Sequence, residues 1–268
     1  MKAALLVCAL LPLAASAQTL RATLPPITYH VGLVAAPLFP GPDTLRRPSF
    51  VLPSLSEAVV VGRVSPQLVV VRRAGFLYTT PVNRLSDYDP EDASPLPLDP
   101  QTQLITYQGV VEVPGVSQAD LYARAAAWVA STYPPADNVL EQQNPQAGQL
   151  LVKGRRPAVT HAPYEGVLRS SYAGVVRHTL TIYVKDGRYK YVLTDLTHDA
   201  LSTPALHSGG PLEQEKASLY GYAGLGSKKT WDELKTDATR DARRLVASLQ
   251  AAMTLQPVRK GPKSPSDF

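Results

Sequence analysis

The clearest hydrophobic patterns of the chain lie in residues 104–196. Residues 104–113 alternate apolar and polar positions, which predicts a half-buried strand. Pro114-Gly115 ends it, and Ser117 with Asp120 three residues later is a variant of the capping box that opens a helix. Apolar residues at helical spacing extend this helix to about Thr132, so the pattern predicts a strand followed by a helix.

The second half of this stretch predicts a β-hairpin. Residues 172–185 and 188–196 both alternate, and Asp186-Gly187 between them favours the positive φ angles of a type I′ turn. This turn sets the register, so that Val184 is expected to pair with Tyr189 on the core side of the sheet.

Two further elements complete the predicted main domain. Residues 149–153 read as a short strand that Gly154 ends. Thr230 and Glu233 form a T-x-x-E capping box before a long amphipathic helix that runs to about Leu255. Such a helix is expected to pack its apolar side against the sheet.

The region before this domain has a different composition. Residues 18–103 contain thirteen prolines, which favour turns and extended backbone. Residues 58–64 and 68–80 are plausible strands that form a hairpin, with Gly75 marking a bulge or an end. This hairpin could extend the main sheet or stand apart from it, and residues 86–101 read as a linker.

The first seventeen residues have the pattern of a secretion signal. Lys2 precedes an apolar run, and Ala15-Ser16-Ala17 is a typical cleavage site before Gln18. We therefore expect a periplasmic or extracellular protein without a transmembrane segment. Cys8 is the single cysteine, so the mature chain would have neither disulfides nor thiolate metal sites.

These motifs together resemble a bacterial family. The residues that carry the resemblance are Ile105-Thr106-Tyr107, Val111 to Ser117, Leu121 to Ala125 with Trp128, and Val184 to Tyr189. The chain is similar here to an uncharacterised domain of unknown function with a TBP-like fold, found in exported proteins mostly of Bacteroidetes. The resemblance implies an α+β domain with an antiparallel sheet and two helices on one face, but it implies no activity.

Motifs for catalysis and for metal binding are weak. The glycine stretch 221–230 has Ser227 where a P-loop needs lysine, and the five histidines show no metal-ligand spacing. Ser208, in His207-Ser208-Gly209, is a poor substitute for the serine of a hydrolase elbow. The sequence therefore indicates no catalytic residues, no metal and no cofactor.

One surface is a candidate for binding. The side of the hairpin opposite the core carries a basic set with an aromatic residue among it: Arg177, Tyr183, Lys185, Arg188 and Lys190. Such a face could bind an anionic or sugar ligand, or a protein of the cell envelope. The formal net charge of +5 is small for the length of the chain, and we expect no nucleic-acid binding.

The predicted organisation has four parts: a signal peptide (1–17), a proline-rich N-terminal region (18–103), a TBP-like α+β domain (104–255) and a disordered tail (256–268). The function favoured is a non-enzymatic binding or structural module of the bacterial cell envelope. A carrier with a small apolar ligand between the sheet and the long helix is the alternative, and a hydrolase is a weaker one.

Overall fold

The computed structural model describes residues 21–133, 138–164, 167–201, 206–220 and 227–254. It divides into two compact units, with the boundary between Tyr88 and Asp89. The predicted signal peptide, the glycine stretch 221–226 and the predicted tail lie outside the described residues. Among the helices described, none is long and apolar enough to cross a membrane.

The first unit is a small β structure. Its strands are β1 (Arg21–His30), β2 (Ala36–Leu38), β3 (Phe50–Leu52), β4 (Glu57–Ser65), β5 (Leu68–Arg73) and β6 (Phe76–Pro81). The sheet order is β1-β4-β5-β6, all antiparallel, and β2 pairs with β3 in a separate ribbon. The predicted hairpin therefore belongs to a sheet of its own and does not extend the main one.

Residues 68–80 form two strands rather than one, and Gly75 marks a strand end, which was one of the two expectations for it. Ala74 and Gly75 have φ angles of 48° and 82°, so the chain reverses there and β5 and β6 form a hairpin. The unit has its own core, built around Tyr29, Leu38 and Val60. Because this β unit has its own core, it can have a function of its own.

The second unit contains the main sheet and both helices. Its elements are a short 3-10 helix (Pro90–Ala93), β7 (Tyr107–Glu112), α1 (Gln118–Thr132), β8 (Asn138–Asn144), β9 (Gln149–Tyr164), β10 (Val167–Lys185), β11 (Arg188–Asp199), β12 (Gly210–Pro211) and α2 (Ser227–Thr254). The sheet order is β12-β11-β10-β9-β8, with β7 also paired to β11, and all the pairs are antiparallel.

Both helices pack on one face of this sheet. The inward residues of β10 and β11 form one apolar core with α1 and α2, in which Trp231 is fully buried. Trp128 of α1 donates its indole N–H to Ser248 of α2 at 2.8 Å, and Arg124 donates to the backbone oxygen of Met253 at 2.8 Å. The helices are therefore joined to each other as well as to the sheet, and both helices of the described residues lie on the same side of it.

The motifs before α1 and at the hairpin turn meet in space. Ser117 caps α1 as predicted, because its side chain accepts from the backbone N–H of Asp120. The carboxylate of Asp186 accepts from the backbone N–H of Gln118 at 2.7 Å, and Gly187 N–H donates to the oxygen of Val116 at 2.9 Å. The turn thus supplies a second capping group to the helix, favourable because helix N-termini attract negative charge.

Three details of the predicted elements were wrong. Only Gly187 of the turn has a positive φ, at 73°, so the type I′ geometry expected for Asp186 as well is not formed. Thr230 lies inside α2, which already begins at Ser227. Gly154 does not end a strand but lies within β9, where the absence of a side chain leaves room for the rings of Tyr133 and His178.

Candidate binding face on the main sheet

The outward side chains of β7, β10 and β11 form the open face of the main sheet. Burial alternates along β11, with Arg188 and Lys190 exposed and Tyr189 and Tyr191 buried. The register places Arg188 beside Lys185 of β10 and Glu112 of β7. Because side chains alternate across a strand, these outward positions share one surface.

The hairpin brings four of the five predicted residues together. Lys185 pairs with Arg188, and Tyr183 pairs with Lys190 in the next outward row, as the sequence predicted. Tyr183 is 41% exposed. We call this group of Lys185, Arg188, Lys190 and Tyr183 the basic hairpin patch.

The basic hairpin patch has an acidic neighbour, because Glu112 lies opposite Arg188. Among the described residues, no salt bridge includes Lys185, Arg188 or Lys190. Like charges directly opposite each other in a sheet are destabilising, and Lys185 faces Arg188 in this way. Glu112 on the other side of Arg188 offsets part of this repulsion, and Arg188 remains exposed between the two.

Polar amides continue the row that contains Tyr183. Gln149 of β9 pairs with Tyr183, and Asn144 of β8 pairs with Gln149. On the other side of Lys190 lies Val110 of β7, which is 60% exposed. The row therefore offers an apolar contact, a cation, an aromatic ring and amides side by side across the sheet. The amides could not be assigned to this face from the sequence, because it does not show how β8 and β9 pair.

Arg177 is separate from the patch. It lies six residues before Tyr183 on β10, or about 20 Å at the rise of a β-strand. Its guanidinium forms an ion pair with Asp199. Arg177 therefore shares the open face but is already paired, unlike the cations at the hairpin end.

A β-bulge separates Arg177 from the rows nearer the hairpin. The register changes between Arg177 and Thr179 because β11 contains one extra residue there. Asp195, at that point, has a φ of 59°, and its carboxylate accepts from the hydroxyl of Thr179 at 3.4 Å. Bulges increase the local twist, and this one lies between Arg177 and the basic hairpin patch.

His198 is buried in the second unit and has a structural role. His198 accepts from the backbone N–H of Gly209 at Nδ1, 2.8 Å away, so its Nε2 carries the proton and donates to the oxygen of Ala173 at 2.5 Å. Burial lowers the pKa of His198, although the bond to Ala173 opposes this effect. Both ring nitrogens are thus occupied by backbone groups.

The weak hydrolase alternative gains no support from these contacts. The hydroxyl of Ser208 donates to the carboxylate of Asp199 at 3.3 Å. The oxygen of this hydroxyl accepts from the backbone N–H of Ala200 at 3.0 Å. A serine nucleophile needs a base within hydrogen-bond reach, and the neighbouring His198 is engaged on both sides. In the described part of the chain, no group of three potential metal ligands was found.

An antiparallel sheet with two helices on one face defines the second unit as an α+β domain. Residues 107–199 match the sequence model of a family described as a domain of unknown function (DUF4468) with TBP-like fold. The predicted resemblance to this family and the predicted fold class are thereby confirmed, and the matched segment contains both motifs that meet at the N-terminus of α1.

Two crystal structures are similar to this chain. A TBP-like protein from Parabacteroides distasonis has 13% sequence identity, with 55% of this chain and 93% of that chain covered and a TM-score of 0.38. A DUF4468 family protein from Bacteroides ovatus has 17% identity, with 58% and 90% covered and a TM-score of 0.40. No curated protein matches the sequence.

Proposed function

We propose that this protein is a non-enzymatic binding module of the bacterial cell envelope, and that it holds an anionic glycan on the open face of the main sheet. The basic hairpin patch carries the proposal: Lys190 pairs with the exposed Tyr183, the next outward row holds Lys185 and Arg188, and no salt bridge among the described residues includes these three cations. The secretion-signal pattern of residues 1–17 supports an exported protein.

The chemistry of the patch fits sugar rings that carry carboxylates. A guanidinium such as that of Arg188 binds a carboxylate through two parallel hydrogen bonds, and the ammonium groups of Lys185 and Lys190 add point charges. An exposed aromatic ring such as Tyr183 offers an apolar face to the C–H groups of a sugar. The amide of Gln149 can donate to and accept from hydroxyl groups in the same row, and the NH2 group of Asn144 can donate, while its oxygen accepts from the backbone N–H of Ala147 at 2.9 Å.

Binding of polygalacturonate oligomers to the mature protein tests this proposal. We expect Lys190→Ala and Tyr183→Ala each to weaken binding by about tenfold, because the first variant loses one charge-assisted hydrogen bond and the second loses one ring contact. Isothermal titration calorimetry would measure the dissociation constants. Affinity should also fall as salt is raised, because exposed charges are screened.

The matched control is Arg177→Ala. It removes one positive charge from the same sheet face, but from a residue already paired with Asp199. Neutral dextran and a single-stranded DNA oligonucleotide serve as ligand controls. If Arg177→Ala weakens binding as much as Lys190→Ala, or if DNA binds as well as the glycan, the protein binds polyanions without specificity and the proposal is wrong.

A carrier of a small apolar ligand is the second candidate. The hydroxyls of Tyr122 and Tyr189 are buried on the helix side of the sheet and have no hydrogen-bond partner among the described residues, so a largely apolar ligand there would also need a polar group to pair with them. Burial first, and then the neighbouring Tyr191, raise the pKa of Tyr189 to about 12. Native mass spectrometry of the mature protein from its own host tests this function: a reproducible extra mass released by organic solvent would support it, and a bare monomer mass would contradict it.

A further inference from the structure

Several of the loops that connect the strands of the first unit lie at the same end of its β sheet. Strands β1 and β5 end there and strands β4 and β6 begin there, because all neighbouring pairs are antiparallel. The connections at this end include residues 31–35, residues 53–56 and the tight turn 74–75. Leu55 donates its backbone N–H to the oxygen of Val31 at 3.1 Å, which joins the first two segments.

Large apolar side chains are exposed at this end. They are Leu33 (86% exposed), Val34 (60%), Leu55 (36%), Phe76 (67%) and Leu77 (52%). We call this set the apolar end. Single exposed apolar residues are ordinary on soluble proteins, but a group of them at one end indicates an interaction surface.

The backbone at Leu55 supports this interpretation. Leu55 has a φ of 60°, in the left-handed region that favours glycine or asparagine and that a bulky residue adopts only at a cost in free energy. A leucine here therefore disfavours the folded conformation, and its side chain is partly exposed. A strained backbone that presents an apolar side chain to solvent indicates that this side chain contacts a binding partner.

Arginines lie beside the apolar end. Arg73 pairs with Phe76, its guanidinium carbon lies 5.0 Å from the ring centre of Phe50, and it donates to the oxygen of Val51 at 3.4 Å. Arg72 pairs with Leu77 on the other side of the hairpin. Residues 21–88 contain seven arginines, no lysine and three acidic residues, a formal charge of +4.

We propose that the apolar end docks the protein on the surface of an anionic lipid membrane. In this arrangement Leu33, Leu55 and Phe76 enter the boundary between headgroups and acyl chains. Arg72 and Arg73 remain at the level of the headgroup phosphates, because arginine can keep its charge in water while its carbon chain contacts apolar groups. The net positive charge of the unit adds long-range attraction to anionic lipids.

A lipid surface fits these observations better than a folded protein partner. The apolar side chains are on separate connections at the end of a sheet, and these connections can enter a fluid interface independently. A stable protein interface needs a continuous, complementary surface of roughly 800 Å² on each partner. Cations next to exposed leucine and phenylalanine side chains are also typical of protein surfaces that bind at the membrane interface.

Co-sedimentation of the mature protein with vesicles tests this inference. The probes are vesicles of phosphatidylglycerol mixed with phosphatidylcholine, and vesicles of phosphatidylcholine alone. We expect binding to the anionic vesicles, reduced at least tenfold by Phe76→Ser and by Arg73→Ala, and much weaker binding to the neutral ones. Leu45→Ser is the matched control, because Leu45 is 97% exposed and lies in residues 39–49, outside the apolar end.

Leu55→Gly gives the sharpest result. Glycine relieves the strain of a positive φ, so this variant should unfold at an equal or higher temperature while its vesicle binding falls several-fold. Failure to bind anionic vesicles, or equal loss with Leu45→Ser, would overturn the proposal. A dimer in solution that Phe76→Ser dissociates would also overturn it, in favour of a protein interface. These variants lie in the first unit, so their outcome is distinguishable from that of glycan binding to the second.

Discussion

Replacement of Arg240 by alanine is expected to lower the free energy of unfolding of the second unit by about 3–5 kcal/mol. Arg240 of α2 is 4% exposed, and its guanidinium donates to one carboxylate oxygen of Asp92 at 2.7 Å and 2.5 Å. The side chain of Asp92 is fully buried. Removal of the arginine would weaken the compensation of a buried carboxylate, and isolated buried charges are costly.

Arg243 also binds the carboxylate of Asp92. It donates to Asp89 at 2.8 Å and to the second oxygen of Asp92 at 2.6 Å. Desolvation raises the pKa of the Asp89 carboxyl, but hydrogen bonds from Arg243 and from the backbone of Glu91 outweigh it and hold the pKa below its usual value. The network therefore joins α2 to the 3-10 helix through opposite charges that compensate each other's burial.

Urea unfolding followed by tryptophan fluorescence measures the effect of Arg240→Ala. Both tryptophans of the chain, Trp128 and Trp231, lie in the second unit, so the signal reports that unit. Arg244→Ala is the matched control, because Arg244 is 72% exposed and pairs only loosely with Asp241, at 3.5 Å. The control should change the free energy of unfolding by less than about 1 kcal/mol. Equal effects of the two variants would show that the buried network does not stabilise the unit.

The main domain was predictable because its local signals agree. The alternation of residues 104–113, the cap at Ser117 and the two-residue turn each specify short-range geometry, and short-range geometry is what sequence periodicity reports. The register around Tyr183 followed from turn length alone. The basic hairpin patch was therefore predictable as a group of neighbours, although its ligand was not.

Features that depend on long-range contacts could not be predicted. Gly154 was taken as a strand end because the sequence gives no sign that Tyr133, 21 positions earlier, would pack against it. The bulge at Asp195 was missed because an extra residue is visible only when the partner strand is known. The buried network was missed because Asp92 and Arg240 are 148 positions apart. Arg177 was grouped with the patch for the same reason, since its partner Asp199 is 22 positions away on the next strand.

The second unit is expected to lose stability as the pH falls from about 6.5 to about 4, because His178 is buried without a charge. Its Nε2 lies 2.9 Å from the hydroxyl of Tyr133, and His178 is 6% exposed. Burial, and then the positive charge of Arg156, lower the pKa of His178 from 6.5 to about 4. An unfolded chain binds a proton at this position at a higher pH than the folded unit does, so protons favour unfolding in this window.

The sign and size of this effect follow from linkage. The stability contributed by a neutral His178 is complete above pH 6.5 and is lost as the pH falls to about 4. This lowering of the pKa of His178 corresponds to a loss of about 3 kcal/mol in the free energy of unfolding. The lowered pKa of His198 acts in the same direction.

His178→Gln should remove most of the pH dependence, because glutamine can still bond to the hydroxyl of Tyr133 but does not take up a proton in this range. The measurement is the free energy of unfolding in urea at pH 7, 6, 5 and 4, with tryptophan fluorescence as the signal. His207→Gln is the control, because His207 is exposed, and it should leave the pH dependence unchanged. If His178→Gln loses as much stability between pH 7 and pH 4 as the parent protein, another group controls the response, and the pair of Tyr133 and His178 has no part in it.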